Sequence, residues 1–283
     1  MEQLKNNVPL GLVAGNGQFP LQLVHDAKEQ GIETVAALHE GEADSRLKDS
    51  VRDWTSVRVG QLGKIIRFFK KHGVQQVVFL GGIRRPSLLQ SFRPDLIGLK
   101  VITKVKSVQD DRLLRGVAAE FEYQGFQVLD PAALLVSCLV DAEALTKRLL
   151  SETERNDALI GWRAARELGL LDIGQSVVVS HGMVVAVEAI EGTDQAIRRA
   201  GALMGKHPGI VVKLPKPQQD RRLDLPAIGP NTIREMMKAR CSALVLERRG
   251  ALLLEPSETV RLADEGRISI MAFESEEALV KHE

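Results

Sequence analysis

The sequence predicts an α/β protein with an N-terminal Rossmann-like domain on a parallel sheet and a C-terminal mixed α/β domain. Three observations lead to this prediction. Short apolar runs alternate with amphipathic helical segments as far as residue 130, which is typical of a parallel, doubly wound sheet. The alternation stops at Asp130-Pro131. Beyond this point, pairs of short strands joined by tight turns are mixed with helices, which indicates a different architecture.

The elements of the first half are predicted from apolar runs for strands and from apolar residues at helical spacing for helices. Strands are expected over residues 8–14, 34–38, 77–80 and 126–129, and helices over residues 21–30, 65–72 and 110–124. The first helix has Pro20 at its start and Gly31 at its end, which suits the termini of a helix. These elements form a predicted domain over residues 1–131.

The second half is expected to begin with a linker. Residues 132–155 are predicted as a helical linker, with most of the helix over 132–150, and residues 156–283 as the second domain. Its predicted helices cover residues 156–168, 195–204 and 232–240, and its predicted strands cover residues 177–179, 184–189, 210–212, 243–246, 252–254 and 268–273. The start of the last helix, Thr232 to Glu235, matches a capping box.

The composition is that of an ordinary globular protein. The chain has 283 residues, of which 44% are hydrophobic and 27% are charged. Its net charge of +1 offers no electrostatic reason to expect a nucleic-acid partner. Cys138 and Cys241 have no metal-ligand spacing, so we interpret them as buried thiols in a reducing compartment. The polar N-terminus and the lack of an apolar run near the ~20 residues of a membrane span predict a cytoplasmic protein.

A glycine-rich turn follows the first predicted strand and opens the first helix. At this position a parallel sheet presents backbone N–H groups and the positive end of a helix to a ligand. Pro20 occupies the position of the third glycine of a dinucleotide fingerprint, which argues against NAD, and a purely structural turn stays an alternative. A glycine pair after the third predicted strand is expected to line the same crevice. The candidate ligand-binding residues are Gly15, Asn16, Gly17, Gln18, Phe19, Gly81 and Gly82.

Carboxylates and cations are concentrated between residues 188 and 233. Glu188, Glu191 and Asp194 precede or open a helix, and capping by Thr193 or Asp194 explains only one residue of this group. In a proline-rich loop further along, Asp220 and Asp224 bracket Arg221 and Arg222. The aspartates could share one metal ion while the arginines bind a diphosphate, or the loop could be solvated and held by salt bridges. Acid clusters next to cations are typical of sites for a divalent metal and a phosphate ester.

Four motifs in this order make the chain similar to the UDP-2,3-diacylglucosamine diphosphatases of the LpxI type. They are the segments 11–20, 172–175, 188–194 and 213–226, and the resemblance extends over nearly the whole chain. It implies an enzyme of lipid A biosynthesis in a Gram-negative bacterium that hydrolyses UDP-2,3-diacylglucosamine to UMP and lipid X. It also implies Mg²⁺ or another hard divalent cation as cofactor, and a homodimer. The domain over residues 1–131 would bind UDP, and that over residues 156–283 would be catalytic and bind the lipid phosphate.

The resemblance also suggests roles for individual residues. Asp224 matches the family's critical aspartate best, Asp220 is the alternative, and both are candidate metal ligands. The other candidate catalytic residues are Asp194, Glu191 and Lys213. The glycine-rich turns would hold uridine and ribose, while Thr193, Arg221 and Arg222 would bind phosphate. Gln175 is a candidate substrate-binding residue as part of the second motif.

Two other function classes stay open at this point. One is a sugar-nucleotide oxidoreductase or transferase that uses the N-terminal sheet, against which the missing third glycine counts. The other is a non-catalytic nucleotide-sugar sensor, which would have no need of an acid-rich hydrolytic site. For the hydrolase, the expected partners are UDP-diacylglucosamine and lipid X, and peripheral contact with the cytoplasmic face of the inner membrane is compatible with such a lipid substrate.

Overall fold

The computed structural model describes residues 8–83, 92–105, 110–223 and 225–280, and it divides into two compact units. The first unit consists of Met1–Val136 and a short segment that starts at Asp220. The second unit takes Ser137–Gln219 and Leu225–Glu283. Residues 220–223 thus belong to the first unit, although they lie in sequence among elements of the second. The sequence analysis did not anticipate this exchange.

The first unit is built on a five-stranded sheet in which every pair is parallel. Its strands are β1 (Leu10–Ala14), β2 (Thr34–His39), β3 (Asp53–Val57), β4 (Gln76–Leu80) and β5 (Gln127–Val128), in the order β3-β2-β1-β4-β5. The described helices are α1 (Phe19–Glu29), α2 (Leu47–Ser50), α3 (Leu62–Lys71), α4 (Leu96–Val105) and α5 (Asp110–Tyr123). This order confirms the predicted Rossmann-like sheet and reverses direction between β1 and β4, where open α/β sheets bind ligands.

The core of the first unit contains a cluster of phenylalanine side chains. The ring centroids of Phe121 and Phe126 lie 5.7 Å apart, and those of Phe79 and Phe121 lie 5.1 Å apart in an edge-to-face arrangement. Phe69 of α3 contacts Phe126 in the same way. Leu223 packs against this core, so one apolar side chain anchors residues 220–223 to the first unit.

The second unit is built on a mixed five-stranded sheet, as predicted. Its strands are β6 (Ser176–Ser180), β7 (Met183–Val187), β8 (Gly209–Lys213), β10 (Cys241–Glu247) and β12 (Ser269–Phe273), in the order β12-β10-β8-β6-β7. Strands β8, β10 and β12 are parallel to one another, whereas β6 is antiparallel to β7 and β8. A separate parallel pair joins β9 (Ala227–Ile228) and β11 (Leu252–Leu253). The helices are α6 (Glu152–Leu170), α7 (Thr193–Leu203), α8 (Pro230–Lys238), α9 (Pro256–Glu265) and α10 (Glu276–Val280).

The predicted helix over residues 132–150 is wrong. This stretch contains two short 3-10 turns, Pro131–Ala133 and Val136–Cys138, followed by irregular chain. Several of its apolar residues, such as Leu135 and Val140, are buried without forming a helix, and isolated bridges pair Leu139 with Leu252 and Ala144 with Met271. The following helix, α6, begins at Glu152 because Ser151 and Glu154 form a capping box there.

Two expectations about burial and membrane spans can be compared with the structure. Cys138 and Cys241 are both buried thiols that form no disulfide, as the sequence predicts. Burial raises the pKa of the Cys241 thiol to about 12, so it stays protonated at neutral pH. In the described part of the chain, no helix has both the length and the apolar character needed to cross a bilayer.

We expect Gly161→Ala to destabilise the second unit. A Cβ atom at Gly161 of α6 would lie 2.5 Å from Cγ2 of Val212 on β8. Overpacking should lower the free energy of unfolding by about 1–3 kcal/mol, although alanine's helix propensity alone would raise it by roughly 1 kcal/mol. Urea denaturation measures the difference. The control Glu167→Ala, at an exposed position of the same helix, should change stability by no more than about 0.5 kcal/mol. Stabilisation by Gly161→Ala would contradict the close packing of α6 on β8.

Candidate active site

The glycine-rich turn after β1 contacts the turn after β4 directly. The N–H group of Gly15 donates to the Leu80 carbonyl at 2.9 Å, and that of Asn16 donates to the Gly82 carbonyl at 2.7 Å. A Cβ atom at Gly15 would lie 2.2 Å from the Gly82 oxygen. A Cβ atom at Gly81, where φ is +90°, would lie 2.4 Å from the Asn16 oxygen. The structure therefore brings the two predicted turns together, and the contact requires glycine at both Gly15 and Gly81.

The positive end of α1 opens from this turn. Gly17 has a φ of +101°, and the helix begins at Phe19 with Pro20 in its first turn. Within the described residues, the Gln18 side chain does not cap the helix, and its first turn contains no acidic residue. No protein carboxylate of the first turn therefore competes with an anionic ligand for this end of the helix dipole.

Glu42, a buried carboxylate beside the turn, was missed by the sequence analysis. Glu42 follows β2 and is only 8% exposed, and its Oε2 accepts a hydrogen bond from Asn16 Nδ2 at 2.9 Å. His39, the last residue of β2, is near Glu42. Burial lowers the pKa of His39 to about 4, against a smaller opposing effect of Glu42, so the imidazole is neutral at pH 7. A glutamate in a loop carries no sequence signal for this position, because only the order of the strands brings it to Asn16.

In the second unit, Lys213 is a buried cation that contacts neutral oxygens. Lys213 ends β8, is 5% exposed, and donates from Nζ to Thr193 Oγ1 at 2.9 Å and to the Ala227 carbonyl at 3.0 Å. Thr193 Oγ1 in turn donates to Glu188 Oε1 at 3.1 Å and lies 3.3 Å from Ser176 Oγ. Among the described residues, the hydrogen bonds of Lys213 Nζ go to neutral oxygens and not to a carboxylate, and Glu188 Oε2 is buried without a hydrogen-bond partner. We call Lys213, Thr193, Glu188 and Ser176 the Lys213 cluster.

Asp194 connects the first turns of two helices. Helix α7 begins at Thr193 after Gly192, whose φ is +85°, and α8 begins at Pro230. Asp194 Oδ2 accepts from Asn231 Nδ2 at 2.6 Å, and its Oδ1 accepts from Thr232 Oγ1 at 2.9 Å. One carboxylate of α7 therefore accepts hydrogen bonds from two side chains in the first turn of α8.

This arrangement corrects two of the capping predictions. Gly192 is the cap residue of α7, so neither Thr193 nor Asp194 caps it. Helix α8 begins two positions before Thr232, so the predicted capping box from Thr232 to Glu235 is wrong. Glu235 instead forms ion pairs with Arg198 at 2.5 Å and Lys238 at 2.9 Å. The physical reason is that the N-cap residues of the helices are Gly192 and Gly229, so Thr193, Asp194 and Thr232 lie within the first turns and not at the cap positions.

Glu191 and Gln175 have different surroundings. Glu191 pairs with Arg199 at 2.5 Å, and its own backbone N–H together with the Arg199 guanidinium lowers the pKa of its carboxyl group. Gln175 lies directly before β6, and its Oε1 is buried with no hydrogen-bond partner in the described part of the chain. An unpaired buried amide oxygen is unfavourable, so this atom is available to a ligand that donates a hydrogen bond.

Asp220, Arg221 and Arg222 form salt bridges within the first unit. Arg222 binds Asp220 through two nitrogens, with Nη2 at 2.7 Å from Oδ2 and Nε at 3.0 Å from Oδ1, and it also pairs with Glu122 of α5. Arg221 Nε lies 3.9 Å from Asp130 Oδ2. The hydrogen bond from the Arg222 guanidinium lowers the pKa of Asp220. The sequence left two alternatives for this loop, a metal site and a loop held by salt bridges, and the described residues form salt bridges. Asp224 lies outside the described residues.

The described carboxylates do not by themselves form a site for a hard divalent cation. Asp194, Glu191 and Asp220 each accept hydrogen bonds from other side chains. Within residues 8–83, 92–105, 110–223 and 225–280, only His25, Asp26 and Glu29 bring three potential ligand atoms within 4.8 Å of one another. These are side chains of α1 at or near the surface. Mg²⁺ therefore stays a prediction.

Comparisons with known proteins identify a family over both units. The model of the LpxI N-terminal domain matches residues 9–138, and the model of the LpxI C-terminal domain matches residues 141–271. A curated relative is named UDP-2,3-diacylglucosamine pyrophosphatase LpxI and comes from Caulobacter vibrioides. It is 32% identical over 278 residues, which covers 95% of this chain and 98% of the relative.

Similarity to solved structures is partial. The biotin carboxylase domain of a thermophilic 2-oxoglutarate carboxylase has 14% identity and a TM-score of 0.25, over 60% of this chain and 34% of that one. A biotin carboxylase from Campylobacter jejuni has 13% identity and a TM-score of 0.25, over 70% of this chain and 42% of that one. The chain spans less than half of either protein, and scores this low carry no argument about fold or function.

We expect Asp194→Ala to reduce stability. The substitution leaves Asn231 and Thr232 without their acceptor and should lower the free energy of unfolding by about 1–3 kcal/mol. Urea denaturation followed by circular dichroism measures this change. The matched control is Glu191→Ala, which removes an ion pair with the half-exposed Arg199 and should cost no more than about 1 kcal/mol. An Asp194→Ala protein as stable as the wild type would show that Asp194 does not hold the two helices together.

Proposed function

The chain belongs to the LpxI family, and on that premise we propose that it hydrolyses the diphosphate of UDP-2,3-diacylglucosamine to UMP and 2,3-diacylglucosamine 1-phosphate (lipid X) in lipid A biosynthesis. The observation that carries the proposal is the extent of the similarity. The relative named as a pyrophosphatase for this substrate aligns over 95% of this chain and 98% of its own length. The similarity therefore includes both units and is not confined to a nucleotide-binding half.

The reaction sets clear chemical requirements. Water adds across the P–O–P bond, so that a hydroxyl group joins the attacked phosphorus and a proton goes to the departing phosphate. Both products are anions, and negative charge increases on the phosphate oxygens during the reaction. A protein catalyses this step by positioning the water and by holding cations and hydrogen-bond donors at those oxygens.

For the first unit, we propose that the uridine end of the substrate lies at the turn after β1. The residues are Gly15, Asn16, Gly17, Gln18 and Phe19, with Gly81 and Gly82 beside them. Two observations support this assignment. The turn is at the carboxyl edge of the sheet where the strand order reverses, and the positive end of α1 opens from it.

For the second unit, we propose that the Lys213 cluster binds phosphate oxygens. Lys213 donates to a neutral hydroxyl and to a carbonyl, so a phosphate would supply the negative charge that a buried ammonium group needs. Thr193 lies in the first turn of α7, where N–H groups favour an anion. In the first unit, Arg221 and Arg222 are proposed as phosphate ligands, in exchange for their present carboxylate partners.

Several further properties are proposed on the strength of the family resemblance. They are a requirement for Mg²⁺ or another hard divalent cation, a homodimer, a cytoplasmic location and peripheral contact with the inner membrane. For the cation, Asp224 with Asp220 as alternative is the proposed ligand. To bind the cation, Asp220 would have to break its hydrogen bonds with Arg222.

We expect Asp224→Ala to abolish most of the hydrolysis. Purified protein is incubated with UDP-2,3-diacylglucosamine and Mg²⁺, and UMP and lipid X are quantified by mass spectrometry. Loss of a metal ligand or of a water-orienting carboxylate should reduce kcat by roughly 10²–10⁴-fold. Stability should change by no more than about 0.5 kcal/mol, because the sequence around Asp224 is too polar and too rich in proline for a core segment. Asp220→Ala is the comparison for the alternative assignment.

The outcomes of this assay separate the function classes. A folded Asp224→Ala protein with wild-type kcat would refute the role of Asp224. A wild-type protein that binds the substrate without releasing UMP would favour the sensor, and a change in nicotinamide absorbance would favour the oxidoreductase.

We expect hydrolysis to require a hard divalent cation. After treatment with excess EDTA and removal of the chelator, the rate should fall by about 100-fold or more and recover on addition of Mg²⁺. Ca²⁺, which shares the preference for oxygen ligands but has looser geometry, tests the selectivity. Full activity of the metal-depleted protein in the presence of EDTA would show that hydrolysis does not require a metal ion.

A further inference from the structure

Asn16 connects the turns that follow three neighbouring strands. It lies in the turn after β1, and its backbone N–H donates to Gly82 after β4 at 2.7 Å. Its side-chain Nδ2 donates to Glu42 Oε2 after β2 at 2.9 Å. Since β2, β1 and β4 are adjacent in the sheet, a single residue joins all three loops at the ligand-binding edge of the first unit.

The hydrogen bond to Glu42 also determines the orientation of the Asn16 amide. A carboxylate accepts hydrogen bonds and donates none, so the NH₂ group must face Glu42 and the Oδ1 atom must face away from it. A Cβ atom at Gly82 would lie 3.5 Å from that Oδ1, so the amide packs beside the Gly82 backbone. The conformation of the turn and the direction of the amide are thus set by the same pair of loops.

Glu42 is an unusual residue for a purely structural role. It is 8% exposed, and the nearby His39 is neutral at pH 7, so this imidazole does not balance the charge of the carboxylate. A buried carboxylate is unfavourable for stability unless hydrogen bonds compensate its lost hydration. One such hydrogen bond comes from Asn16 Nδ2, and an apolar side chain at position 42 could not accept it, so the carboxylate oxygen holds the Asn16 amide.

We propose that Glu42 is a positioning residue for nucleotide binding, and that it acts through the Asn16 amide by keeping the turn of residues 15–17 in its binding conformation. The inference rests on the proposed function, because it takes this turn as the site of the uridine nucleotide. Glu42 itself would not touch the ligand, since a carboxylate next to a phosphate would repel it. Its effect should therefore be on affinity and KM, with kcat changed much less.

The first test measures UMP binding to the full-length protein by isothermal titration calorimetry. Glu42→Ala removes the acceptor and should raise the Kd for UMP by about 10-fold or more, with a similar rise in KM for the whole substrate. Glu42→Gln retains an acceptor oxygen for Asn16 Nδ2 and should stay within about 3-fold of the wild type. The matched control is Glu40→Ala, since Glu40 lies in the same loop but is exposed and paired with Arg58 at 2.8 Å. It should bind UMP as the wild type does.

A charge-swapped pair tests the contact itself and does not depend on Glu42→Ala being folded. Asn16→Asp alone puts two carboxylates against each other and should weaken UMP binding by about 10-fold or more. Combining Asn16→Asp with Glu42→Gln restores a hydrogen bond in the opposite direction, with the same total charge. The double variant should recover most of the lost affinity, which a merely structural Glu42 would not explain.

The outcomes distinguish this inference from the proposed function. If the wild-type protein does not bind UMP, the assignment of the turn to the nucleotide is wrong, and the role of Glu42 falls with it. If the wild type binds UMP and Glu42→Ala binds it equally well, only the positioning role is wrong. The role is also overturned if Glu42→Gln loses as much affinity as Glu42→Ala, or if the double variant recovers none of the affinity lost in Asn16→Asp.

Discussion

The backbone contact between the turns after β1 and β4 is the constraint on which the first unit depends. Both strands end at the same edge of the sheet, and their turns approach so closely that a Cβ atom at Gly15 would lie 2.2 Å from the Gly82 oxygen. The contact closes the sheet edge at the point where the strand order reverses. Gly17 and Gln18 beside this contact are exposed at the start of α1, and the contact holds Asn16 where its amide meets Glu42.

The second unit contains a buried cation, Lys213, whose hydrogen-bond partners are neutral. Lys213 is desolvated at the end of β8, and its charge is connected to Glu188 only through the Thr193 hydroxyl. These hydrogen bonds leave the ammonium without a direct counter-ion among the described residues. Binding a phosphate in this place would complete the charge balance, so the same feature that is unfavourable in the free protein favours an anionic ligand.

The segment of residues 220–223 belongs to a different unit from its neighbours in sequence. By sequence it follows Lys213 and precedes α8, both of which belong to the second unit, yet it packs on the first through Leu223 and through the pairing of Arg222 with Glu122. Arg221 and Arg222, which are predicted to bind phosphate, thus form salt bridges with carboxylates. Substrate would exchange these partners for phosphate oxygens, a replacement of one charge-assisted hydrogen bond by another.

The sequence by itself determined the class of fold, the positions of the glycine turns and the family, because apolar periodicity, glycine positions and motif order can be read along the chain. Elements without such signals were missed, as with the polar edge strand β3, or misjudged, as with residues 132–150. Only the tertiary structure decided which side chains meet. Asn16 and Glu42 are 26 positions apart, Thr193 and Lys213 are 20 apart, and Asp194 and Thr232 are 38 apart. A polar side chain takes the partner that packing brings within hydrogen-bond distance, and strand order and helix placement set that distance.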